Sequence, residues 1–176
     1  MDILVNNAGF GRCGKFESAT AVADDTILMV NINALVALTH LFIPGMLERK
    51  KGGVLNVAST ASFQPLPFMS IYAATKAFVL SLTESLWYEQ KSKGVYVMAL
   101  CPGVTTSGFH EAAGGAPNEL PSASLTQTPE EVVAEALHAL HARRKPMLIS
   151  GWKNRLGLFF TRFLTHKKIV KLMGSW

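Results

Sequence analysis

An α/β fold, a parallel sheet covered by helices, is what this sequence predicts, and two observations carry the prediction. Short apolar runs bounded by turn residues alternate with longer helical stretches, in the order strand, helix, strand, helix, strand, helix, strand. The 49% apolar content over 176 residues is enough for one buried core and far from a disordered composition. In such a sheet the ligand lies outside the carboxyl ends of the strands. The turns leaving the first three strands are therefore where chemistry is expected.

Each element has its own signature. Ile3 to Val5 reads as a short buried strand running into a turn at Asn6-Asn7-Ala8-Gly9. Behind Asp24 and Asp25, the residues Ile27, Val30, Ala34, Leu35, Leu38, Leu41 and Phe42 fall on one helical stripe. Pro44-Gly45 should kink or loosen that helix near its end. A polar turn over 49–53 leads to a second buried strand, Val54 to Val57, and then to a loop from Ala58 to Met69 that contains Pro65 and Pro67. Tyr72 to roughly Lys91 is a helix, stopped by Lys93-Gly94. Val95 to Leu100 is the third strand, with Cys101-Pro102-Gly103 as its exit turn. Gly108 to Gln127 is rich in Gly, Pro, Ser and Ala and reads as a long loop. Thr128-Pro129-Glu130-Glu131 combines an N-cap, a proline at the first helical position and a glutamate three after the cap, so a helix runs from there to about Ala142. Met147 to Ile149 is a fourth short strand.

Composition narrows the function. The two cysteines, Cys13 and Cys101, make no disulfide framework and fit a reducing compartment. The histidines and cysteines never group at ligand spacing, so no metal is expected. The N-terminus lacks the basic region and the long apolar run of a signal peptide. With no 18 uninterrupted apolar residues, no membrane-spanning helix is expected. The net charge of +5 is unevenly placed. Residues 151–176 hold six basic side chains (Lys153, Arg155, Arg162, Lys167, Lys168, Lys171) and no acid, while the rest of the chain has 11 basic against 12 acidic residues. We therefore divide the chain into a main domain, 1–150, and a basic amphipathic segment, 151–176. Within that segment Leu156, Phe159, Phe160, Phe163, Leu164 and Ile169 alternate with the charges, and the helix should break near Thr165. Two readings stay open for it: peripheral contact with an anionic membrane surface, or packing on its own domain or a partner subunit. No recognition motif accompanies the charge, so no nucleic acid is expected as a partner.

The strongest chemical signal is Ser59, Tyr72 and Lys76. Tyr72 and Lys76 are four apart at a helix start, so they share a face. An ammonium beside a phenol stabilises the phenolate and lowers the tyrosine pKa from about 10 toward working pH. The phenol then serves as a general acid toward a carbonyl oxygen, or as a base in reverse. Ser59, at the exit of the second strand, can hydrogen-bond the same oxygen. Taken alone, a Tyr and a Lys at this spacing are most often a surface pair, and a serine there is most often a turn cap.

Four blocks change that weighting: NNAG at Asn6 to Gly9, VN at Val30-Asn31, the segment from Ser59 through YAATK at Tyr72 to Lys76, and CPG at Cys101 to Gly103. In order and spacing they resemble the short-chain dehydrogenase/reductase family over about residues 1–150. The resemblance implies a Rossmann-like doubly wound parallel sheet, of which this chain holds the C-terminal part only. It implies catalytic roles for Tyr72 as proton donor and acceptor, Lys76 as its pKa-lowering neighbour and ribose ligand, Ser59 as carbonyl-positioning group, and Asn31 as holder of a relay water. Asn33 lies nearby, but Asn31 matches the family position. Asn7, Ala8 and Gly9 would line the cofactor's ribose. Pro102, Gly103, Thr105 and Ser107 would cradle the nicotinamide carboxamide, Ser107 standing where the family usually has threonine. The cofactor implied is NAD(P)(H), with NADP slightly favoured. The substrate implied is a small carbonyl compound or secondary alcohol, and Phe63, Leu66, Phe68 and Met69 suggest a hydrophobic one. The family also implies a homo-oligomer and a cytoplasmic location, with the membrane surface as the alternative for the tail. Basic-apolar tails of this kind occur in a branch resembling DltE-type dehydrogenases.

The family's glycine-rich phosphate turn has no counterpart here. Gly9-Phe10-Gly11-Arg12-Cys13-Gly14 matches GxGxxG, yet it falls where the family has its substrate-side loop. The chain reads as beginning at the family's fourth strand, N-terminally truncated, with an exposed apolar sheet edge and weak affinity for a whole dinucleotide. A rival from another class is a non-catalytic interaction module that pairs through its two long helices.

Overall fold

Four strands, β1 (Ile3–Asn6), β2 (Gly52–Val57), β3 (Val95–Cys101) and β4 (Met147–Ile149), lie side by side in chain order, all parallel. This is a computed structural model, and it describes residues 1–115 and 126–175. Between the strands run α1 (Ala21–Leu28), a π-helical turn (Met29–Ala34), α2 (Leu35–Glu48), α3 (Ser70–Gln90), α4 (Phe109–Ala112) and α5 (Pro129–Ala142); α6 (Trp152–Thr161) and α7 (His166–Met173) follow β4.

Strand periodicity explains why helices cover both faces. Along β3, Val95, Val97 and Ala99 point one way and Tyr96, Met98 and Leu100 the other, and all are buried. The first set packs with Leu4, Val54, Leu35, Met46 and Val79 beneath α2 and α3. The second packs with Leu55 against Val132, Ala136 and Leu140 of α5. The Thr128 capping box and Pro129 start α5 as the sequence predicts.

A buried polar ladder fixes the register. Asn6 sits opposite Asn56 in the β1–β2 pairing. The Asn6 Nδ2 donates to Asn56 Oδ1 at 2.8 Å and to Thr39 Oγ1 at 3.2 Å, and Asn56 Nδ2 donates to Thr83 Oγ1 at 2.9 Å. A slip of one residue would strand these amides in the core, which is costly.

Several expectations need correction. The buried stripe of the long helical run is Ile27, Asn31, Leu35, Thr39 and Met46, while Ala34, Leu38 and Leu41 face outward. The π-helical turn widens the spacing so that residues four apart stay on one face, and the polar ladder claims Thr39. The helix continues through Pro44 to Glu48. The run Ala21–Glu48 is also long and apolar enough to cross a bilayer by length and composition. Here, however, its inner face carries Asn31 and Thr39, both bonded into the fold. The Ala58–Met69 loop contains a 3₁₀ turn, Thr60–Phe63, and α3 starts at Ser70, two residues earlier than expected. In the expected loop from Gly108, α4 forms, and Thr105 pairs with Gln127; its residues 116–125 lie outside the described part. β1 borders the sheet with Ile3 and Val5 half exposed, the apolar edge the sequence implied.

The tail breaks at Thr165, which caps α7. It packs on its own domain: α6 against β4 and the Thr60–Phe63 turn, α7 through buried Ile169 and through Met173, whose sulfur accepts from Gln64 Nε2 at 2.9 Å.

Gly94 closes the turn into β3 at φ +83°, with its α-carbon against the Lys50 carbonyl, where a side chain has no room. Gly94→Ala should lower the unfolding free energy by about 1–3 kcal/mol, read as a lower midpoint in urea with an unchanged slope.

Candidate active site

The exits of β1, β2 and β3 converge on the start of α3, and there the buried ammonium of Lys76 meets each of them. Its Nζ donates to Val57 O, the last residue of β2, at 2.7 Å. It lies 5.8 Å from the Tyr72 ring centroid. Gly9, just past β1, packs flush against it: a Cβ there would stand 3.2 Å from Nζ and 3.1 Å from Asn31 Oδ1. Burial depresses the Lys76 pKa to about 8, and the neighbouring Cys101 opposes that shift. Cys101 itself is pushed up to about 12, chiefly by burial, so it stays a neutral thiol under the site.

Tyr72 and Ser59 come together. The Ser59 hydroxyl lies close enough to the Tyr72 phenol to act on its pKa, and it accepts from Ala61 N at 3.1 Å, which fixes it as the cap of the 3₁₀ turn. The turn-cap reading of Ser59 therefore holds. The expected lowering of the Tyr72 pKa by Lys76 is not what this structure has. Burial raises it, and the Ser59 hydrogen bond draws it partly back. The physical reason is that the low-dielectric wall around the phenol disfavours its charge, while the ammonium is turned toward the Val57 carbonyl.

Asn31 is buried in the π-helical turn, and Asn33 is exposed, bonding Met29. The Asn31 side chain accepts from Phe10 N at 3.1 Å and donates to Phe10 O at 2.9 Å and Thr75 Oγ1 at 3.0 Å. Both its N–H groups are thus committed. This side chain is a clamp that closes the β1 exit onto α3. Thr75 in turn donates to Tyr72 O at 2.7 Å, and Ser62 to Lys76 O at 2.7 Å.

The remaining expected residues ring the same end of the sheet. Asn7 and Ala8 are exposed at the β1 exit. Pro102 O accepts from Thr60 N at 2.8 Å, joining the β2 and β3 exits. Thr105 bonds back to Gly103 O at 3.2 Å, and Gly103 is covered by Asn154 of α6. Ser107 stands further out, exposed, accepting from Phe109 N at 3.4 Å. The GxGxxG-like stretch does not open a helix. Cys13 N donates to Ala113 O at 2.7 Å and Gly14 N to Phe68 O at 2.9 Å, which spends those amides on the loops around Tyr72.

Three neighbours escaped the sequence reading. A Cβ on Gly11 would stand 3.0 Å from the Tyr72 ring. The Phe109 ring packs 5.2 Å from it, tilted by 50°. Thr75, three residues after Tyr72, was legible from helical spacing; Phe109 arrives only through tertiary packing. A narrow opening of about 10 Å³ beside Tyr72 is lined by Arg12, Asp24, Phe68 and Ser70. A larger cavity of about 430 Å³ lies between α5 and α6, away from Tyr72. Its Glu135 carboxylate already accepts from Gly151 N, whereas Ser59, Tyr72 and Lys76 meet at the strand exits, so the Lys76 cluster is the better candidate.

The short chain dehydrogenase family model matches residues 1–116. The chain belongs to that family. It is 38% identical over 104 residues to 2-(S)-hydroxypropyl-CoM dehydrogenase 3 of Xanthobacter autotrophicus, covering 59% of this chain and 41% of that one. To the mouse (Mus musculus) very-long-chain 3-oxoacyl-CoA reductase it is 40% identical over 104 residues, 57% of this chain and 33% of the other. The chain thus spans well under half the length of these curated relatives. A short-chain dehydrogenase from Sphingobium yanoikuyae, solved in complex with NADPH, superposes with TM-score 0.79 at 31% identity over 93% of this chain and 63% of its own. A nicotinamide cofactor is what such neighbours bind. The bare Gly9 backbone against Lys76 Nζ leaves the close approach that a ribose needs, so these residues fit that group.

Lys76 should govern stability in alkaline solution. Its folded pKa, about 8, lies below the ordinary 10.5, so the unfolded chain binds the extra proton between those values. Stability attributable to Lys76 is thus lowest below about pH 8 and recovers as pH rises toward 10.5. The difference in unfolding free energy between wild type and Lys76→Met should move toward wild type by about 3 kcal/mol from pH 7 to pH 11, followed by urea titration at each pH.

Proposed function

We propose that this chain carries the catalytic constellation of an NAD(P)-dependent oxidoreductase that interconverts a carbonyl and a secondary alcohol. The observation that supports it most is the meeting of the Ser59 hydroxyl, the Tyr72 phenol and the Lys76 ammonium at the sheet's carboxyl end, with the ammonium 5.8 Å from the Tyr72 ring centroid. In the reducing direction, the Ser59 and Tyr72 hydroxyls together hold the substrate oxygen, and Tyr72 Oη delivers the proton to it. Asn31 keeps Phe10 and so Gly9 in place beside Lys76. A bound nicotinamide supplies or takes the hydride. Lys76, Asn7, Ala8 and Gly9 would hold its ribose, and Pro102, Gly103, Thr105 and Ser107 its carboxamide. NADP is slightly favoured over NAD in this reading; solved neighbours carry either NADPH or NADH. The relatives' names, a hydroxypropyl-CoM dehydrogenase and a 3-oxoacyl-CoA reductase, fit chemistry on an alcohol and an oxo group. The half-buried Phe63, Leu66 and Met69 beside the site, with Phe68 exposed, favour an apolar substrate.

A second reading has its own observation. Leu38 and Leu41 of α2 and Phe78 of α3 are exposed, which suits a module that docks on a related subunit, or a homo-oligomer of this chain. Calorimetric titration with NADPH and NADH separates the readings: heat of binding speaks for the enzyme, and silence with co-purifying partner speaks for the module.

Reduction of a panel of aliphatic ketones and 3-oxoacyl thioesters with NADPH should be detectable. Tyr72→Phe should cut kcat by about 10²–10⁴-fold while leaving the fold intact by circular dichroism. Turnover unaffected by Tyr72→Phe would refute the assignment, as would a wild type inert toward every carbonyl with both cofactors.

A further inference from the structure

We propose that α6 and α7 form a docking surface for an anionic lipid bilayer. The orientation of α6 is the starting point. Its half-buried residues are Asn154, Leu158 and Thr161, one helical face, with Asn154 donating to Ser150 O at 2.8 Å. The opposite face carries Trp152, Leu156, Phe159, Phe160 and Phe163, exposed by 62%, 48%, 50%, 58% and 73%. A helix stabilised by its own core presents the reverse arrangement. The aromatic rings are already assembled: Phe159 stacks edge-on with Phe160 at 5.7 Å and with Phe163 at 5.4 Å.

Charge says what covers this face. Lys153, Arg155 and Arg162 flank the stripe in helical projection, and Lys167, Lys168 and Lys171 are exposed on α7. No acid occurs in 151–176. An apolar stripe bordered by cations matches the boundary between acyl chains and anionic headgroups, where each basic side chain adds to the attraction. A second copy of this chain is disfavoured as the occupant, because a two-fold interface here would set six cations against six. Meanwhile Ile169 and Met173 hold α7 on the domain from the other side, so the surface is anchored without using the stripe. The tail also touches the Thr60–Phe63 turn, Gln64 and Pro67, so lipid contact brings the Tyr72 crevice to the bilayer. That last step rests on the proposed oxidoreductase reading; the lipid contact does not.

The test is co-sedimentation of the full chain with vesicles of phosphatidylcholine alone or mixed with phosphatidylserine. At least about tenfold tighter partition onto the anionic vesicles is expected, weakening as salt is raised, with a blue shift of Trp emission. The triple variant Phe159→Ala, Phe160→Ala, Phe163→Ala should lose it, and so should Lys167→Glu, Lys168→Glu, Lys171→Glu. Since all six residues are exposed, the folds of both variants are checked by circular dichroism. Equal partition onto both vesicle types overturns the proposal. So does full binding by the Phe variant, or a wild-type dimer that this variant dissolves. Loss of carbonyl turnover with lipid binding intact would sink the oxidoreductase reading and leave this one standing.

Discussion

Burying an ammonium is costly unless protein oxygens and dipoles replace its water, and the carboxyl end of this sheet is arranged around one such group. Lys76 reaches from α3 to the terminal carbonyl of β2, beneath the Tyr72 ring and against the bare backbone of Gly9. For that contact to exist, β1 must end beside β2, α3 must begin at the right height, and residue 9 must lack a side chain. The Asn6–Asn56–Thr83 ladder meets the first condition, because it locks the register of the two strands. Glycine at position 9 meets the third, and Asn31 holds it there by pinning Phe10 through both of its backbone groups. The polar residues that look out of place in an apolar core are the ones that hold the site open to its chemistry.

The same burial makes the pKa values diverge. Lys76 is depressed toward neutrality while Tyr72 and Cys101 are raised, all three mainly by loss of solvent. The gap between ammonium and phenol thereby widens, so the phenol keeps its proton while Lys76 can lose its own near pH 8. Ser59 is the one hydroxyl that already lowers the Tyr72 value, and it is fixed by capping the 3₁₀ turn.

Much of this was legible in the sequence. Strand-length apolar runs, the Thr128 capping box and the spacing of Ser59, Tyr72 and Lys76 follow from short-range rules, and the structure brings those three side chains together. The stripe of the α1–α2 run was not legible. Its sequence is apolar nearly all round, so periodicity underdetermines which face turns inward, and a π-helical turn then alters the spacing. The direction of the Tyr72 shift also escaped, because helical spacing reveals the neighbour but not the burial. Phe109 and Asn154 reach the site from segments distant in sequence, which no local pattern encodes. The tail's alternation of cations and aromatics was plain, whereas the face that α6 turns to its own domain required coordinates.

Amide chemical shifts of the ¹⁵N-labelled chain, followed during titration with NADPH, test most directly whether the Lys76 cluster is a nicotinamide site, since they register weak binding and name its place. Perturbations should cluster at Gly9, Phe10, Ser59, Lys76 and Thr105. Shifts gathered instead around the Glu131, Glu135 and Trp152 cavity, or none at saturating cofactor, would contradict the account.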